Sequence, residues 1–230
     1  MQKVSIIIPV YNEKKDILEL LKQVEEASFA NLEKEIIIVD DCSTDGTKEI
    51  LEEIKDKYKI IFHEENKGKG AAIQTALNYT TGDFTAIQDA DLEYSPNDYD
   101  KLLPLLINKE AEVVYGSRFL NKENHKNFMF KNKMANIFLT ALTNILYGCT
   151  ISDMETCYKA FKTEIIKNIK INSNRFDFEP EITAKILKKK YILKEVGITY
   201  KGRSHEEGKK INYKDGLCAI FTLIKYKFFN

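Results

Sequence analysis

The sequence predicts a mixed α/β fold in which helices cover both faces of a mainly parallel β-sheet. Short runs rich in β-branched residues alternate with segments of helical periodicity from residue 4 to about 120, a spacing typical of β-α-β units. Polar loops follow the apolar runs, as expected where the carboxyl ends of parallel strands border a ligand crevice. The 230-residue chain is long enough for one domain with a sizeable core.

Five apolar runs are predicted as strands, with helices between them. The strand runs are VSIII, EIIIV, YKIIF, FTAIQ and EVVYG, and the helices span about 14–27, 45–57, 69–79 and 97–108. The loops after the strands are PVYNE, DDCSTDG, NKGKG, QDADLE and GSRF. Because parallel strands end at one edge of a sheet, we expect these five loops to converge.

The second half of the chain carries longer amphipathic segments. A helix is predicted over 127–147, and a second amphipathic stretch covers 212–230. Their apolar faces either complete the core or form an interfacial face for lipid. The lysine-rich stretches 185–191 and 201–214 are either solvated surface or sites for an anionic ligand or a phospholipid surface.

Composition narrows the function classes. The formal net charge is zero, which argues against a generic nucleic-acid binder. The four cysteines form no C-x-x-C pair, so neither a zinc site nor a disulfide framework is expected, and a reducing compartment is predicted. No apolar run approaches the roughly 18 to 20 residues of a membrane span. We therefore expect a cytoplasmic protein, with peripheral contact to the inner face of the cell membrane left open.

The loop after the second strand begins with two adjacent acids, Asp40 and Asp41. A carboxylate at this position can accept hydrogen bonds from a base edge or a ribose hydroxyl. Tyr11 in the neighbouring loop is placed to stack on a base, and Glu13 to hydrogen-bond it. Asp45 is expected to cap the following helix. These residues indicate a nucleoside site.

The loop after the fourth strand holds Asp89 and Asp91 two positions apart. On an extended segment both side chains point to one side, and paired carboxylates suit Mg²⁺ or Mn²⁺, hard ions that are usually completed by substrate phosphates. Glu93 is a candidate third ligand, directly or through water. The alternative is structural, with Asp91 capping a turn.

Two further sets of residues allow two interpretations. The glycines of NKGKG let backbone approach a ligand, or merely shape a tight loop before a helix. The cations Arg118, Arg203, Lys209 and Lys210 either meet phosphate oxygens or are surface charge. The glycine-bearing loop 203–210 is expected to be mobile until substrate binds.

As an ordered set, PVYNE, DDCSTDG, N-x-G-x-G, DAD and GSR resemble the nucleotide-sugar half of family 2 glycosyltransferases, which have the GT-A fold. SDMETCYKAF, RFDFEPEI and Y-x-G-R-x-x-x-E-G-K-K resemble the polyprenyl-phosphate group, which includes the dolichol-phosphate mannose synthases and bactoprenol glucosyltransferases. The resemblance covers nearly the whole chain. It implies a single GT-A domain with a donor-binding half, 1–120, and an acceptor-binding half with amphipathic helices, 121–230.

The resemblance also implies roles for individual positions. The nucleoside would be held by Pro9, Tyr11, Glu13, Asp40 and Asp41, with Asn66, Gly68, Gly70 and Ala90 completing the donor site. The divalent ion that bridges the donor diphosphate would be bound by Asp89, Asp91 and Glu93, and phosphate charge would be neutralised by Arg118, Arg203 and Lys209. Asp153 is the position of a base in family 2 enzymes with hydroxyl acceptors, and here it is expected to orient the donor or Lys159.

The function that this resemblance implies is transfer of mannose or glucose, with inversion, from GDP-mannose or UDP-glucose to a dolichyl or undecaprenyl phosphate. One alternative is transfer to a saccharide hydroxyl in cell-surface polysaccharide synthesis, with Asp153 as an essential base. Another is a non-catalytic module that binds a nucleotide sugar or a membrane. The intact set of carboxylates and cations favours an enzyme.

Overall fold

The computed structural model of the protein describes residues 1–126, 130–202 and 213–229. Within these ranges the strands are β1 Lys3–Val10, β2 Glu33–Asp40, β3 Lys59–Phe62, β4 Phe84–Ile87, β5 Val113–Ser117, β6 Lys159–Lys162 and β7 Leu193–Gly197. The α-helices are α1 Ile17–Glu26, α2 Thr47–Glu53, α3 Lys69–Leu77, α4 Tyr99–Ile107, α5 Phe130–Tyr147, α6 Thr163–Lys167, α7 Phe178–Lys188 and α8 Tyr213–Phe228. The strand-helix alternation predicted up to residue 120 is confirmed.

The strands form one seven-stranded sheet in the order β3-β2-β1-β4-β6-β5-β7. Only β6 runs antiparallel to its neighbours among these described strands, so the predicted mainly parallel sheet is confirmed. The sequence pattern does not predict β6 or β7. β6 reads KAFK, and a four-residue strand with a lysine at each end carries no apolar run to detect.

β1 illustrates why the predicted runs become buried strands. Val4, Ile6 and Ile8 pack into one core cluster together with α1 and α4, whereas Ile7 packs into the opposite cluster with α3 and α7. Side chains alternate along a strand, and here both faces are covered by helices. A strand of this kind needs apolar residues on both sides, which is why it reads as a continuous run.

The long helices of the second half build a further apolar layer. Leu139 of α5, Ala184 of α7 and Leu223 of α8 belong to one buried cluster, so one face of each predicted amphipathic helix is core. Strands on either side of residue 120 share the sheet. The division into a donor half and an acceptor half stays a prediction.

Candidate active site

The antiparallel strand β6 brings a sixth loop to the sheet edge where the other strands end. Its first residue, Lys159, pairs with Ile87, the last residue of β4, and with Tyr115 of β5. Because β6 runs against its neighbours, the segment 152–158 before it lies beside the loops that follow β4 and β5. This places Asp153 and its neighbours among the predicted loops.

The loops after β1 and β2 are bound to one another. Ser43 Oγ accepts the backbone N–H of Asn12 at 2.9 Å, and Asn12 Oδ1 accepts the N–H of Thr44 at 2.8 Å. Asn12 has a φ of 55°, a left-handed conformation that asparagine tolerates. The predicted convergence of these two loops is confirmed.

Asp45 bonds to the start of α2 as predicted, although the N-cap position itself is held by Gly46. Its Oδ1 accepts the backbone N–H of Thr47, the first residue of α2, at 3.0 Å and the Thr47 hydroxyl at 2.6 Å. Its Oδ2 also accepts the N–H of Lys14 at 3.1 Å. Asp45 therefore stabilises the start of α2 and ties it to the loop after β1.

The adjacent acids at the end of β2 have different surroundings. Asp41 accepts the backbone N–H groups of Lys67 at 2.9 Å and Gly68 at 2.7 Å, and its Oδ1 lies 2.7 Å from His63 Nδ1. Asp40 is fully buried; one of its oxygens accepts a backbone N–H, and Oδ1 has no hydrogen-bond partner. Asp41 thus fastens the loop after β3, whereas the orphaned oxygen of Asp40 needs a donor, which a ligand can supply.

The glycines of NKGKG approach the chain's own backbone. Gly68 has a φ of +97°, and a Cβ at Gly68 would collide with the carbonyl oxygen of Asn174; a Cβ at Gly70 would collide with that of Ser173. The same Asn174 oxygen accepts the N–H of Ala71 at 3.0 Å. Close packing on segment 173–174 therefore explains why both positions are glycine, in line with the interpretation of a tight loop before a helix, and their approach to a ligand stays a prediction.

Asp89 forms an ion pair with Lys69, a residue that is not among the predicted site residues. Lys69 Nζ lies 2.7 Å from Asp89 Oδ1 and 3.1 Å from Oε1 of Glu179, a residue in the first turn of α7. Burial alone would lower the pKa of Lys69, but nearby negative charge, chiefly that of Asp89, raises it well above its ordinary value. Burial would raise the pKa of Asp89, yet Lys69 lowers it. Both groups are therefore charged at neutral pH.

The extended segment predicted to align Asp89 with Asp91 does not form. β4 ends at Ile87, Leu92 has a φ of 56°, and Asp91 Oδ1 accepts the N–H of Glu93 at 3.2 Å. Strand alternation therefore does not apply here, and Asp91 makes a turn contact of the kind that the structural alternative predicts, while its role as a metal ligand stays a prediction. Across the described parts of the chain, no three His, Cys, Asp or Glu side chains converge as a metal-binding group. The predicted three-ligand set is not assembled in this arrangement.

Glu93 lies close to a tyrosine from the far end of the chain. Burial and then the negative charge of Glu93 raise the pKa of Tyr200 well above its ordinary value. A bridge between Tyr94 and Tyr200, together with the 2.9 Å hydrogen bond from Lys201 N–H to the Glu93 carbonyl, joins the two segments. Glu93 therefore connects the loop after β4 to the segment after β7.

Arg118 and Asp153 form a buried ion pair between the loops that flank β5 and β6. Arg118 Nε donates to Asp153 Oδ2 and Nη2 donates to Oδ1, both at 2.8 Å, and the Arg118 backbone N–H donates to Oδ2 at 2.9 Å. Asp153 is fully buried. Lys159, the alternative partner expected for Asp153, donates instead to the carbonyl oxygens of Met154 and Thr156. Asp153 thus orients an arginine and not the lysine.

Glu195 of β7 holds the backbone of the segment that carries Asp153. Its carboxylate accepts the backbone N–H of Ser152 at 2.7 Å and that of Asp153 at 3.0 Å. Burial raises the pKa of Glu195, although these hydrogen bonds oppose the shift. The segment that carries Asp153 is therefore fixed to the sheet on one side and to Arg118 on the other.

Glu155 belongs to a compact set of buried ionisable groups beside Asp89. Burial, followed by the charge of Glu179, raises the pKa of Glu155 to about 8, while Lys159 opposes the shift. One oxygen of Glu155 is buried without a hydrogen-bond partner. Burial lowers the pKa of the neighbouring Lys159, an effect that the negative charge of Glu179 opposes.

The remaining predicted donor residues lie at the same edge or just beneath it. Tyr11 and Glu13 are half-buried in the loop after β1, and Pro9 is half-buried within that strand. Asn66 Nδ2 donates to the carbonyl of Asp41 at 3.3 Å. Ala90 is buried in the apolar core, where its side chain packs against protein. The predicted Arg203 and Lys209, with the rest of loop 203–210, lie outside the described residues.

Comparison with protein families identifies the family to which this chain belongs. The model of glycosyl transferase family 2 matches residues 5–170, a stretch that contains all six loops. The chain belongs to glycosyl transferase family 2. The resemblance of the motifs to this family is confirmed.

Relatives of this glycosyltransferase act, by their names, on lipid phosphates. The chain is 29% identical to a UDP-N-acetylglucosamine–dolichyl-phosphate N-acetylglucosaminyltransferase of Methanococcus voltae, over 97% of this chain and 96% of the relative. It is 31% identical to a dolichol-phosphate mannosyltransferase of Pyrococcus furiosus, over 98% of this chain and 64% of that longer protein. A dolichyl-phosphate β-glucosyltransferase of Trichomonas vaginalis is 26% identical.

Solved structures show the same fold. Glucosyl-3-phosphoglycerate synthase from Mycobacterium tuberculosis, crystallised with Mn²⁺, UDP and glucosyl-3-phosphoglycerate, superposes with a TM-score of 0.75 over all of this chain and 81% of that one. A crystal of the same enzyme with Mn²⁺ and UDP-glucose gives 0.74. Both are 17% identical to this glycosyltransferase, so the likeness shows the shared GT-A fold.

Two helices of the glycosyltransferase expose apolar faces. On α5 the exposed apolar side chains are Met134, Ile137, Phe138 and Ile145, and on α8 they are Leu217, Phe221, Ile224 and Phe228. The spacing of three, four or seven residues places each set on one face of its helix. Within residues 1–126, 130–202 and 213–229, no helix combines the length and apolarity needed to cross a membrane.

Local sequence pattern does not single out four residues that shape this site: Lys69, Glu155, Glu179 and Glu195. Lys69 lies within NKGKG, which attracted attention for its glycines, and Glu179 lies within RFDFEPEI. The available signals were the lysine at the start of the helix predicted over 69–79 and the acids of RFDFEPEI, a stretch for which no helix is predicted. Nothing in local periodicity indicates that these two residues meet.

Proposed function

We propose that this glycosyltransferase moves a hexosyl residue from a nucleotide diphosphate sugar to a polyprenyl monophosphate with inversion at the anomeric carbon. The acceptor phosphate oxygen forms a bond to the anomeric carbon from one side as the bond to the donor β-phosphate oxygen breaks on the other. The nucleoside diphosphate leaves with the bonding electron pair. The products are a lipid-linked sugar phosphate and a nucleoside diphosphate.

This choice of acceptor is supported by two carboxyl groups in the loop before β6: the hydrogen bonds of Asp153 and the protonation of Glu155. Both oxygens of Asp153 accept hydrogen bonds from Arg118, so we assign this carboxylate to the support of a cation and not to proton transfer. Glu155, with its pKa raised to about 8, holds its proton at neutral pH. A sugar hydroxyl needs a base, whereas a phosphate monoester with a second pKa near about 6 is already an anion.

The donor nucleoside is assigned to the loops after β1 and β2. The orphaned Oδ1 of Asp40 would accept a hydrogen bond from the base or the ribose, and Tyr11 and Glu13 lie in the loop after β1, the strand that pairs with β2. Pro9 lies beneath them in β1. Asp41, which fastens the loop after β3, supports this site indirectly.

A divalent ion is assigned to the carboxylates in the loop after β4. The carboxylate of Asp89 already holds a cation, the ammonium of Lys69 at 2.7 Å, and carboxylate oxygens are the donors that Mg²⁺ and Mn²⁺ prefer. Asp89 and Asp91 would hold the ion, which typically takes one or two carboxylates and completes its shell with substrate phosphates. When bound, the ion supplies positive charge for the departing diphosphate, and Arg118 adds to it.

The exposed faces of α5 and α8 are assigned to the membrane surface that holds the acceptor. Apolar side chains on an amphipathic helix enter the boundary between head groups and acyl chains. Lys225 and Lys227 lie in the last turn of α8, where they can meet anionic head groups. The protein would therefore act as a peripheral enzyme on the cytoplasmic face.

The test is a transfer assay on the purified protein with Mn²⁺. Each of UDP-glucose, UDP-N-acetylglucosamine and GDP-mannose is supplied with a short polyprenyl phosphate, or with a saccharide acceptor instead. A lipid-linked sugar phosphate from one donor supports the proposal, and transfer only to saccharides overturns it. Donor binding without turnover on any acceptor would identify a non-catalytic module.

A further inference from the structure

Lys69 is a buried cation whose two counterions lie in different parts of the fold. Its side chain is 12% exposed, that of Asp89 16% and that of Glu179 4%. Asp89 belongs to the loop after β4, and Glu179 to the first turn of α7. The ammonium therefore bridges the sheet edge and a helix.

The position of this ammonium conflicts with a divalent ion on the same carboxylate. Asp89 Oδ1 lies 2.7 Å from Lys69 Nζ, so an ion that uses this carboxylate must compete with the ammonium for it. Two cations near one buried carboxylate repel each other strongly because the surroundings screen charge poorly. Additional negative charge is needed before the Lys69 ammonium and a divalent ion can both remain near Asp89.

Glu179 offers the ammonium a second place. Its Oε1 is 3.1 Å from Lys69 Nζ and makes no hydrogen bond, so the contact is a charge interaction with room to shorten. When Asp89 turns to the ion, the ammonium can move fully to Glu179. The donor diphosphate brings further negative charge that both cations can share.

We propose that Lys69 is a positioning residue that occupies the carboxylate of Asp89 in the metal-free enzyme and so makes divalent-ion binding depend on the donor diphosphate. Glu179 holds the ammonium when Asp89 turns away. This inference rests on the metal site assigned under the proposed function. It predicts weak binding of the ion alone and strong coupling between ion and nucleotide.

The test measures free Mn²⁺ by electron paramagnetic resonance, without sugar or acceptor, and repeats the titration with UDP or GDP. Lys69→Met removes the competing charge at similar length and is expected to tighten binding of Mn²⁺ alone by about tenfold or more, within the usual 5- to 150-fold range of coupling between two ligands. The enhancement of Mn²⁺ binding by nucleotide should shrink by the same factor. Lys69→Arg, which keeps the charge, should resemble the wild type.

Glu179→Gln is a matched variant that is expected to change the affinity for Mn²⁺ in the opposite direction. Without the charge of Glu179 the ammonium rests on Asp89 alone, so Mn²⁺ should bind more weakly than in the wild type. A purely structural role for Lys69 and Glu179 would make both variants bind Mn²⁺ less well. Melting temperatures, measured in parallel, show whether either variant is unfolded. If Lys69→Met does not fold, Lys69→Gln, which also removes the positive charge, takes its place and is expected to tighten binding of Mn²⁺ alone in the same way.

The outcomes separate this inference from the proposed function. Unchanged or weaker Mn²⁺ binding in folded Lys69→Met, or tighter binding in Glu179→Gln, overturns the role of Lys69 while leaving the metal site in place. A wild-type protein that binds no Mn²⁺ even with UDP or GDP overturns the metal site itself, and the inference with it.

Discussion

Arg118 and Asp153 are joined by two side-chain hydrogen bonds, Nε to Oδ2 and Nη2 to Oδ1, both 2.8 Å long, in a place where the aspartate has no exposed surface. The pair links the loop after β5 to the loop before β6. It fixes the direction of a guanidinium group and uses both oxygens of the carboxylate. The resemblance to family 2 enzymes with hydroxyl acceptors implies a base at Asp153, whereas the proposed function makes it the support of a cation.

Asp153→Asn should lower the transfer rate without changing its dependence on pH. Misplacing Arg118 is expected to reduce kcat/KM by about 10²-fold, and removing one partner of a buried ion pair costs about 3–5 kcal/mol of folding stability. The measurement is a pH–rate profile of the variant beside the wild type. If Asp153 were a base, the acidic limb of the profile would disappear.

Asp89→Asn should abolish metal-dependent transfer while the fold stays intact. The variant loses a charged ligand for the ion, and a fall of about 10²-fold or more is expected where charge develops on the leaving group. Lys69 retains Glu179 as a counterion, which limits the structural damage. Asp56→Asn, at an exposed position, is the control. Full activity of Asp89→Asn with Mn²⁺ present would refute the assignment.

Glu155→Gln should stabilise the protein increasingly as pH rises. The pKa of Glu155 is about 8 in the folded chain against an ordinary value of 4.5, so between these values the folded state holds a proton that the unfolded state has released. Folding stability from this group therefore falls from about pH 4.5 to pH 8 and then levels off. Melting temperatures from pH 5 to 9 should show a growing advantage of the variant, and a constant difference would contradict the shifted pKa.

Gly68→Ala should destabilise the protein because it adds a Cβ at a φ of +97° and against the Asn174 carbonyl. A loss of roughly 1–3 kcal/mol in the free energy of unfolding is expected from overpacking and backbone strain. Gly216→Ala is the control, since a Cβ there meets no atom within 4 Å. Chemical denaturation of both variants makes the comparison, and equal effects would mean that Gly68 does not pack on segment 173–174.

Ile145→Ser on α5 and Phe221→Ser on α8 should each weaken binding to vesicles. These side chains are 81% and 68% exposed, and burying such a group in lipid is worth about 1.5–3 kcal/mol, or at least about tenfold in partitioning. Leu18→Ser on α1, a residue 53% exposed on another helix, should change nothing. Co-sedimentation with vesicles containing anionic lipid measures the effect, and an equal loss in all three variants would argue against a specific face.

Local sequence pattern predicts the strands and helices of the first half because each strand there is a continuous apolar run between helices. It also predicts that the loops meet, as the hydrogen bonds of Asn12 confirm. It does not predict β6, whose short sequence carries a lysine at each end. Yet the antiparallel course of β6 is what brings Asp153 to Arg118.

The residues that sequence reasoning missed are those whose partners are distant along the chain. Lys69 meets Glu179 across 110 positions, a contact set by how α3 and α7 pack on the same face of the sheet. Asp40 and Asp41 look alike in the sequence, and only the path of the loop after β3 shows that Asp41 is occupied. The local sequence pattern predicts which loops lie at the edge of the sheet. The surroundings of each carboxylate depend on tertiary packing, which this pattern does not contain.

The acceptor is the central claim, and a competition assay tests it most directly. The purified protein, its active donor and Mn²⁺ are incubated with equal amounts of a short polyprenyl phosphate and the corresponding polyprenol, which differs only in lacking the phosphate. We predict a lipid-linked sugar phosphate from the first and no product from the alcohol. Glycosylation of the alcohol, or of an added saccharide in preference to the lipid phosphate, would contradict the account.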